Sequence, residues 1–95
     1  MLIQQTENSS KGSFFIEENG ERLAEMTYSM AGANLMIIDH TEVDDRLRGK
    51  NIGLQLVQQA VAFARLHQLK IMPLCPFAKA VMEKKKDDFK DVLRS

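Results

Sequence analysis

A single cysteine, Cys75, stands in a chain of 95 residues. No internal disulfide can staple the fold, and a free thiol suits a reducing compartment. Charge of one sign is equally scarce, since 13 Lys and Arg balance 13 Asp and Glu. A diffuse basic surface for nucleic acid is therefore not expected, and any site for a polyanion has to be local. With only one Tyr, a stacking platform for single strands has little to build on. No apolar run approaches the ~20 residues of a membrane span. The opening MLIQQTENSS has neither the cationic nor the apolar region of a signal peptide. No nucleic acid, no membrane and a cytoplasmic location are the expectations. Repeats and linkers are absent too, and the one biased segment is Lys84-Lys85-Lys86. What remains, 44% hydrophobic and 27% charged, is ordinary for a globular protein, and residues 1–95 are read as one small domain.

The first third reads as β-structure. In SFFIEENGERLAEMTYSM, Asn19-Gly20 separates two alternating segments, the favoured pair for a tight hairpin because both residues tolerate positive φ. A second turn near Ala31-Gly32-Ala33 leads into a strand over 34–43, NLMIIDHTEV. Its consecutive apolar residues, Leu35 to Ile38, predict a central strand covered on both faces. Residues 51–66 switch to helical period: Ile52, Leu56, Ala60 and Phe63 form a stripe widened by Val57, Val61 and Ala64. LKIMPL, 69–74, is a short strand. Strand, helix and strand in that order predict a parallel pair with a right-handed crossover. Pro76 suits the first position of a second helix, which makes Cys75 its N-cap. Phe89, Val92 and Leu93 suggest a last helical turn or two. The class is α+β, a mostly antiparallel sheet carrying one parallel βαβ unit.

RGKNIG, residues 48–53, lies at the crossing point of that unit. Helix starts expose unpaired N–H groups with partial positive charge, glycines admit close backbone approach, and Arg48 and Lys50 add full charges. The stretch is either a cradle for a pyrophosphate or a plain strand-to-helix turn with two surface cations. Neither GxxxxGK[ST] nor GxGxxG is present.

Arg48, Asn51 and Gly53 fall on the first, fourth and sixth positions of Q/R-x-x-G-x-G/A, and the segment resembles that signature of GNAT-type N-acetyltransferases. With HTEV before it and PLCPFA after the next strand, nearly the whole chain resembles a compact GNAT-like subfamily, most strongly from His40 to about Lys86. The resemblance implies a GNAT-like fold of about five strands, with a parallel pair formed by the fourth and fifth and flanking helices. It also implies that the C-terminal strands of full GNAT domains, which help form the acceptor site, are lacking. The implied acyl donor is acetyl-coenzyme A. Its pyrophosphate would lie on Arg48, Gly49, Lys50, Asn51, Ile52 and Gly53, and its pantetheine along Glu42-Val43. Cys75, Pro76 and Phe77 would line the cleft. Asn51 replaces the usual glycine; Asn best tolerates left-handed backbone among the other residues, so the turn survives while its side chain adds bulk beside the phosphates.

A thiol at a helix N-terminus has its thiolate favoured. Cys75 is therefore either a nucleophile that takes the acetyl group and passes it on, or a small side chain filling space. His40 and Glu42 share one strand face, where either can act as general base, and His40 could instead activate Cys75 or bond to backbone. Asp39 and Thr41 are expected on the opposite face. His67 is expected to interact with the helix dipole or cap carbonyls. One Cys and two distant His lack metal-ligand spacing. Lys84 to Lys86 form a solvated face neutralised by Asp87-Asp88; the resemblance offers Lys84 as a phosphate contact. Transfer of acetyl from acetyl-CoA to an amine leads the functional readings. A coenzyme A-binding module without catalysis, and a protein-interaction domain keeping only the fold, compete with it.

Overall fold

Five strands and three helices account for most of the chain: β1 (Gln4–Glu7), β2 (Lys11–Glu18), β3 (Glu21–Ala31), β4 (Leu35–Val43), α1 (Ile52–His67), β5 (Lys70–Pro73), α2 (Pro76–Lys84) and α3 (Lys86–Phe89). The computed structural model describes residues 2–94. The strands form one sheet in the order β1-β2-β3-β4-β5, antiparallel except for the parallel pair β4 and β5. Asn19 and Gly20, at φ 54° and 79°, turn β2 into β3, the left-handed pair whose twist matches the flanking strands.

One face of the sheet is covered. Leu56, Val57, Ala60, Val61 and Ala64 of α1 are buried against Phe14, Met26, Met36 and Ile38. The opposite face is only partly screened. Leu35 and Ile37 are half-buried, so the run that predicted cover on both faces has full cover on one. There Phe15 is closed over by the Arg22 guanidinium, 3.9 Å from its ring centre.

Near the chain end the expectation of helix holds for α3 and fails at Leu93. Val92 and Arg94 instead bracket Ile71: the Ile71 N–H donates to Val92 O at 2.6 Å, and the Arg94 N–H donates to Ile71 O at 2.9 Å. The outer edge of β5 needs partners for its backbone groups, and the returning chain supplies them.

After β4 the chain makes a 3-10 turn, Asp45–Leu47, held by a small ionic network. Asp44 accepts from the Arg46 backbone N–H at 2.8 Å and from its Nε at 2.9 Å, while Arg46 also forks onto Glu21 at 3.2 and 2.7 Å. Hydrogen bonds from Arg46 hold the Asp44 carboxyl down at about 2 and lower that of Glu21. Folded values below the unfolded ones give a contribution that is complete above pH about 4 and is lost as pH falls toward 2. Arg46→Gln is therefore expected to lose stability less steeply than the parent across that acid range in urea titrations. Parallel acid limbs for the two proteins would remove the assignment.

Candidate active site

The sheet opens where β4 and β5 part. Their register runs from Leu35 with Lys70 to Ile38 with Pro73. The Ile38 carbonyl then accepts from both Leu74 N–H (3.0 Å) and Cys75 N–H (3.2 Å), and Asp39 to Val43 go on without a partner on that side. Pro73 helps end the pairing because it has no N–H to give. On the other side β4 stays paired to β3, with an irregularity that leaves Asp39 as the extra, exposed residue. Asp39 and Thr41 therefore do not share one environment, contrary to simple alternation.

Which backbone groups line the opening follows from the ladder. The Asp44 N–H donates to Leu23 O, and the Thr41 N–H points at the Cys75 sulfur. Antiparallel alternation then turns Thr41 and Val43 toward the opening and spends His40 and Glu42 on β3. Of the expected edge Glu42-Val43, only Val43 presents its backbone there.

At the start of α1, Gly49 and Asn51 both adopt left-handed backbone, at φ 82° and 55°. Asn51 is the N-cap, yet its side chain caps nothing, and no acidic residue lies in the first turn. The first helical bond runs from Gln55 N–H to Asn51 O, so the N–H groups of Ile52, Gly53 and Leu54 have no carbonyl within the helix. Ile52 is buried, and only its backbone can meet a ligand. Arg48 is exposed and bonded to Asp45 at 3.0 Å; Lys50 is exposed beside it. Gly53 does not have positive φ. Its lack of a side chain matters for packing: a Cβ there would lie 2.2 Å from the tip of the Phe77 ring. The first turns of α1 and α2 thus meet at one vertex.

Cys75 sits at that vertex as N-cap of α2, followed by Pro76 at the first position. Burial opposes ionisation of its thiol, but the Thr41 hydroxyl and the N–H groups of Ala78, Phe77 and Thr41 outweigh it and lower the Cys75 pKa. Cys75 is 5% exposed. Thr41 Oγ1 lies beside the sulfur, where it can donate to the ionised form; at rest it is buried and makes no hydrogen bond. A buried hydroxyl without a partner costs about 1–3 kcal/mol. Sequence reasoning gave Thr41 no role. Its signal was available in its position between His40 and Glu42, which forces it onto their opposite face.

His40 and Glu42 do share a face. His40 Nε2 meets Glu42 Oε1 at 3.0 Å, both well exposed, and this contact raises the His40 pKa. His40 bonds to Glu42, not to Cys75, whose charge it feels only through space. Glu42 and Val43 also rim an open hollow of about 450 Å³ with Arg22, Ala24, Glu25 and Asp44. Lys84 ends α2, seven residues and roughly 10 Å of helix beyond Phe77. His67 packs against Phe63, with ring centres 4.4 Å apart and planes tilted by 45°. Among the described residues no group of His, Cys, Asp and Glu is placed to hold a metal ion.

Residues 13–92 match the family model described as GCN5-related N-acetyl-transferase. The chain belongs to that family. Among solved GNAT structures, a GCN5-like protein from Staphylococcus aureus is 37% identical, with a TM-score of 0.71 over 97% of this chain and 88% of its own. A ribosomal-protein-alanine N-acetyltransferase from Brucella melitensis shares the fold at 16% identity, with a TM-score of 0.63 over 93% of this chain and 64% of its own. The aminoglycoside N-acetyltransferase AAC(6')-Iy, solved in complex with CoA, does so at 10% identity, with a TM-score of 0.58 over 81% of this chain and 67% of its own. No curated protein matches the sequence. In GNAT terms the chain keeps the parallel β4-α1-β5 unit, and among the described residues its C-terminal segment contributes a single bridge to β5. No helix of the described residues is long and apolar enough to cross a membrane.

Proposed function

We propose that this protein transfers the acetyl group of acetyl-CoA to an amine, with Cys75 as the covalent relay. The observation that carries the proposal is the shared vertex. The open edge of β4, the bare N–H groups of α1 and a thiol with its ionised form favoured all meet where β4 and β5 separate.

The residues fit the cofactor. The N–H groups of Ile52, Gly53 and Leu54 would hold the pyrophosphate, with Arg48 and Lys50 adding charge and Gly49 and Asn51 shaping the turn. The Thr41 carbonyl and the Val43 backbone would pair with pantetheine amides by strand addition, walled by Pro76 and Phe77. A CoA complex of a relative with this fold supports the same cofactor here. When bound, acetyl-CoA supplies an activated acetyl thioester. The Cys75 thiolate would form the new C–S bond while CoA leaves as its thiolate and takes a proton. An amine would then attack acetyl-Cys75 and restore the thiol. The amine would reach the opening from the hollow beside Glu42; there Glu25 is paired with Arg22 and Asp44 with Arg46, which leaves Glu42 to favour the ammonium form on approach. His40, held by Glu42 and with its pKa raised, accepts the ammonium proton. The lone thiol suits a reducing, cytoplasmic setting.

An NMR titration with acetyl-CoA tests the binding half. Amide shifts are expected to cluster at residues 41–54 and 75–78, and undisturbed amides there at saturating ligand would sink the proposal. Gly53→Val is a sharper probe, since the signature admits Ala but no branched side chain at this position. The Phe77 ring is 43% exposed, so its tip can swing aside, and Val is no worse a helix former than Gly; stability should change by no more than about 1 kcal/mol. The branched side chain blocks close approach to the helix N–H groups, and acetyl-CoA affinity by calorimetry should drop roughly tenfold or more. Equal affinity would place the pyrophosphate elsewhere.

A further inference from the structure

We propose that Thr41 is the positioning residue for Cys75: its hydroxyl, buried and unpartnered beside the thiol, turns to donate a hydrogen bond to the thiolate and holds the sulfur toward the open edge of β4. This rests on the relay role of Cys75.

The first observation is the orphaned oxygen. Thr41 Oγ1 has neither solvent nor a hydrogen-bond partner among the described residues, an arrangement folding alone disfavours. Valine would fill the same volume without that penalty and suits a strand at least as well. A hydroxyl in this place is accounted for by a partner that forms in another state of the site.

The second observation is what surrounds it. The Thr41 backbone N–H and those of Phe77 and Ala78 surround the same sulfur and favour its ionised form, while the resting thiol caps α2 without a side-chain hydrogen bond, so the hydroxyl would complete a ring of donors that engages on ionisation. A thiol is a poor acceptor, which explains the idle hydroxyl at rest. A thiolate is a strong one, and a charge-assisted bond to it forms only on ionisation. A β-branched side chain has few rotamers, so the hydroxyl moves between discrete positions. The charged groups on the surrounding elements are few. His40, on the other face of β4, is coupled to the thiolate through space. Asp39 on β4, Lys79 on α2 and Lys50 before α1 are exposed, and the first turn of α1 holds no acid. The donors at the sulfur are therefore the local control on its ionisation.

Because Cys75 is the one cysteine of the chain, its Cβ resonance in ¹³C-labelled protein reports thiol ionisation without ambiguity. In the absence of acetyl-CoA, Thr41→Val is expected to move the titration midpoint upward, so that the thiolate fraction at neutral pH falls about tenfold. Thr41→Ser, which keeps the hydroxyl, should titrate with the parent. The melting temperature of T41V should equal or exceed that of the parent. A T41V titration superimposed on the parent curve overturns the proposal. So does a T41S curve that moves with T41V, since packing of the methyl would then be the cause. The titration needs no acyl donor, so its failure is distinct from a failure of acetyl transfer.

Discussion

Cys75→Ala is expected to lower acetyl transfer to an amine on the order of a hundredfold or more while leaving acetyl-CoA affinity within about twofold. The asymmetry follows from what the side chain touches. The proposed cofactor contacts are backbone groups of α1 and β4, which the substitution does not alter, whereas the relay atom itself is removed. Parent protein mixed with acetyl-CoA and no amine should gain one acetyl group on the peptide containing Cys75 by mass spectrometry, and the variant should gain none. The pH profile should rise on its acid limb as the thiolate forms, with the Cys75 pKa below that of a free thiol because the Thr41 hydroxyl and the N–H donors outweigh burial. His40 contributes in the same direction, since it must lose its proton to act as base and its pKa is raised. Turnover undiminished in Cys75→Ala would mean direct attack of the amine on the thioester.

Gly12→Ala should destabilise the fold by about 3 kcal/mol, at the upper end of ordinary overpacking. Gly12 sits in β2 opposite Tyr28, and the Tyr28 ring crosses directly over it. Beyond Gly12, the Tyr28 hydroxyl accepts from Gln5 Nε2 at 2.7 Å and donates to Glu7 Oε2 at 3.0 Å. A Cβ on residue 12 would lie 2.5 Å from both the Tyr28 hydroxyl and the carbon that bears it, and 2.8 Å from the Thr6 backbone oxygen. Tyr28 is 1% exposed and packs on Phe14 and Phe63, so the ring has nowhere to go. Relief has to come from the β1 backbone, which also strains the two hydrogen bonds that tie β1 to the core. For a domain of this size the melting temperature should fall by roughly 12–24 °C. In a Tyr28→Leu background the same substitution should cost far less, and additive losses in that double-mutant cycle would disprove the steric account.

The contrast between Gly12 and Gly53 shows why a clash must be read with its surroundings. The nominal overlap is worse at Gly53, 2.2 Å against 2.5 Å. Its neighbour, however, is the free end of a ring that solvent can receive, whereas the neighbours of Gly12 are a locked ring and a backbone. Stability should therefore respond at Gly12 and ligand affinity at Gly53.

Local chemistry made much of this protein legible in the one-dimensional chain. Asn19-Gly20 specified a hairpin because both residues tolerate positive φ, and the 3.6-residue stripe from Ile52 to Ala64 specified a helix with one buried face. Asn51 could be read as a tolerated left-handed residue, Pro76 as a helix start and Cys75 as its cap. Each depends on neighbours within a few positions, and the three ordered motifs carried the family likeness for the same reason.

Tertiary structure decided what depends on distant partners. Only the end of the β4–β5 ladder at Ile38 and the irregularity at Asp39 could say which backbone groups face the opening, and these transfer the edge from Glu42 to Thr41. Only the return of the chain to Ile71 could turn an expected helical turn at Leu93 into a bridge, because the need lay in the unpaired edge of β5 and not in Leu93 itself. The separation of His40 from Cys75, the idle hydroxyl of Thr41 and the meeting of Phe77 with Gly53 are likewise set by how strands diverge and helices converge. Propensity and period act along a few residues of chain, whereas a cleft is made by segments that the sequence keeps apart, Thr41 from Cys75 and Gly53 from Phe77.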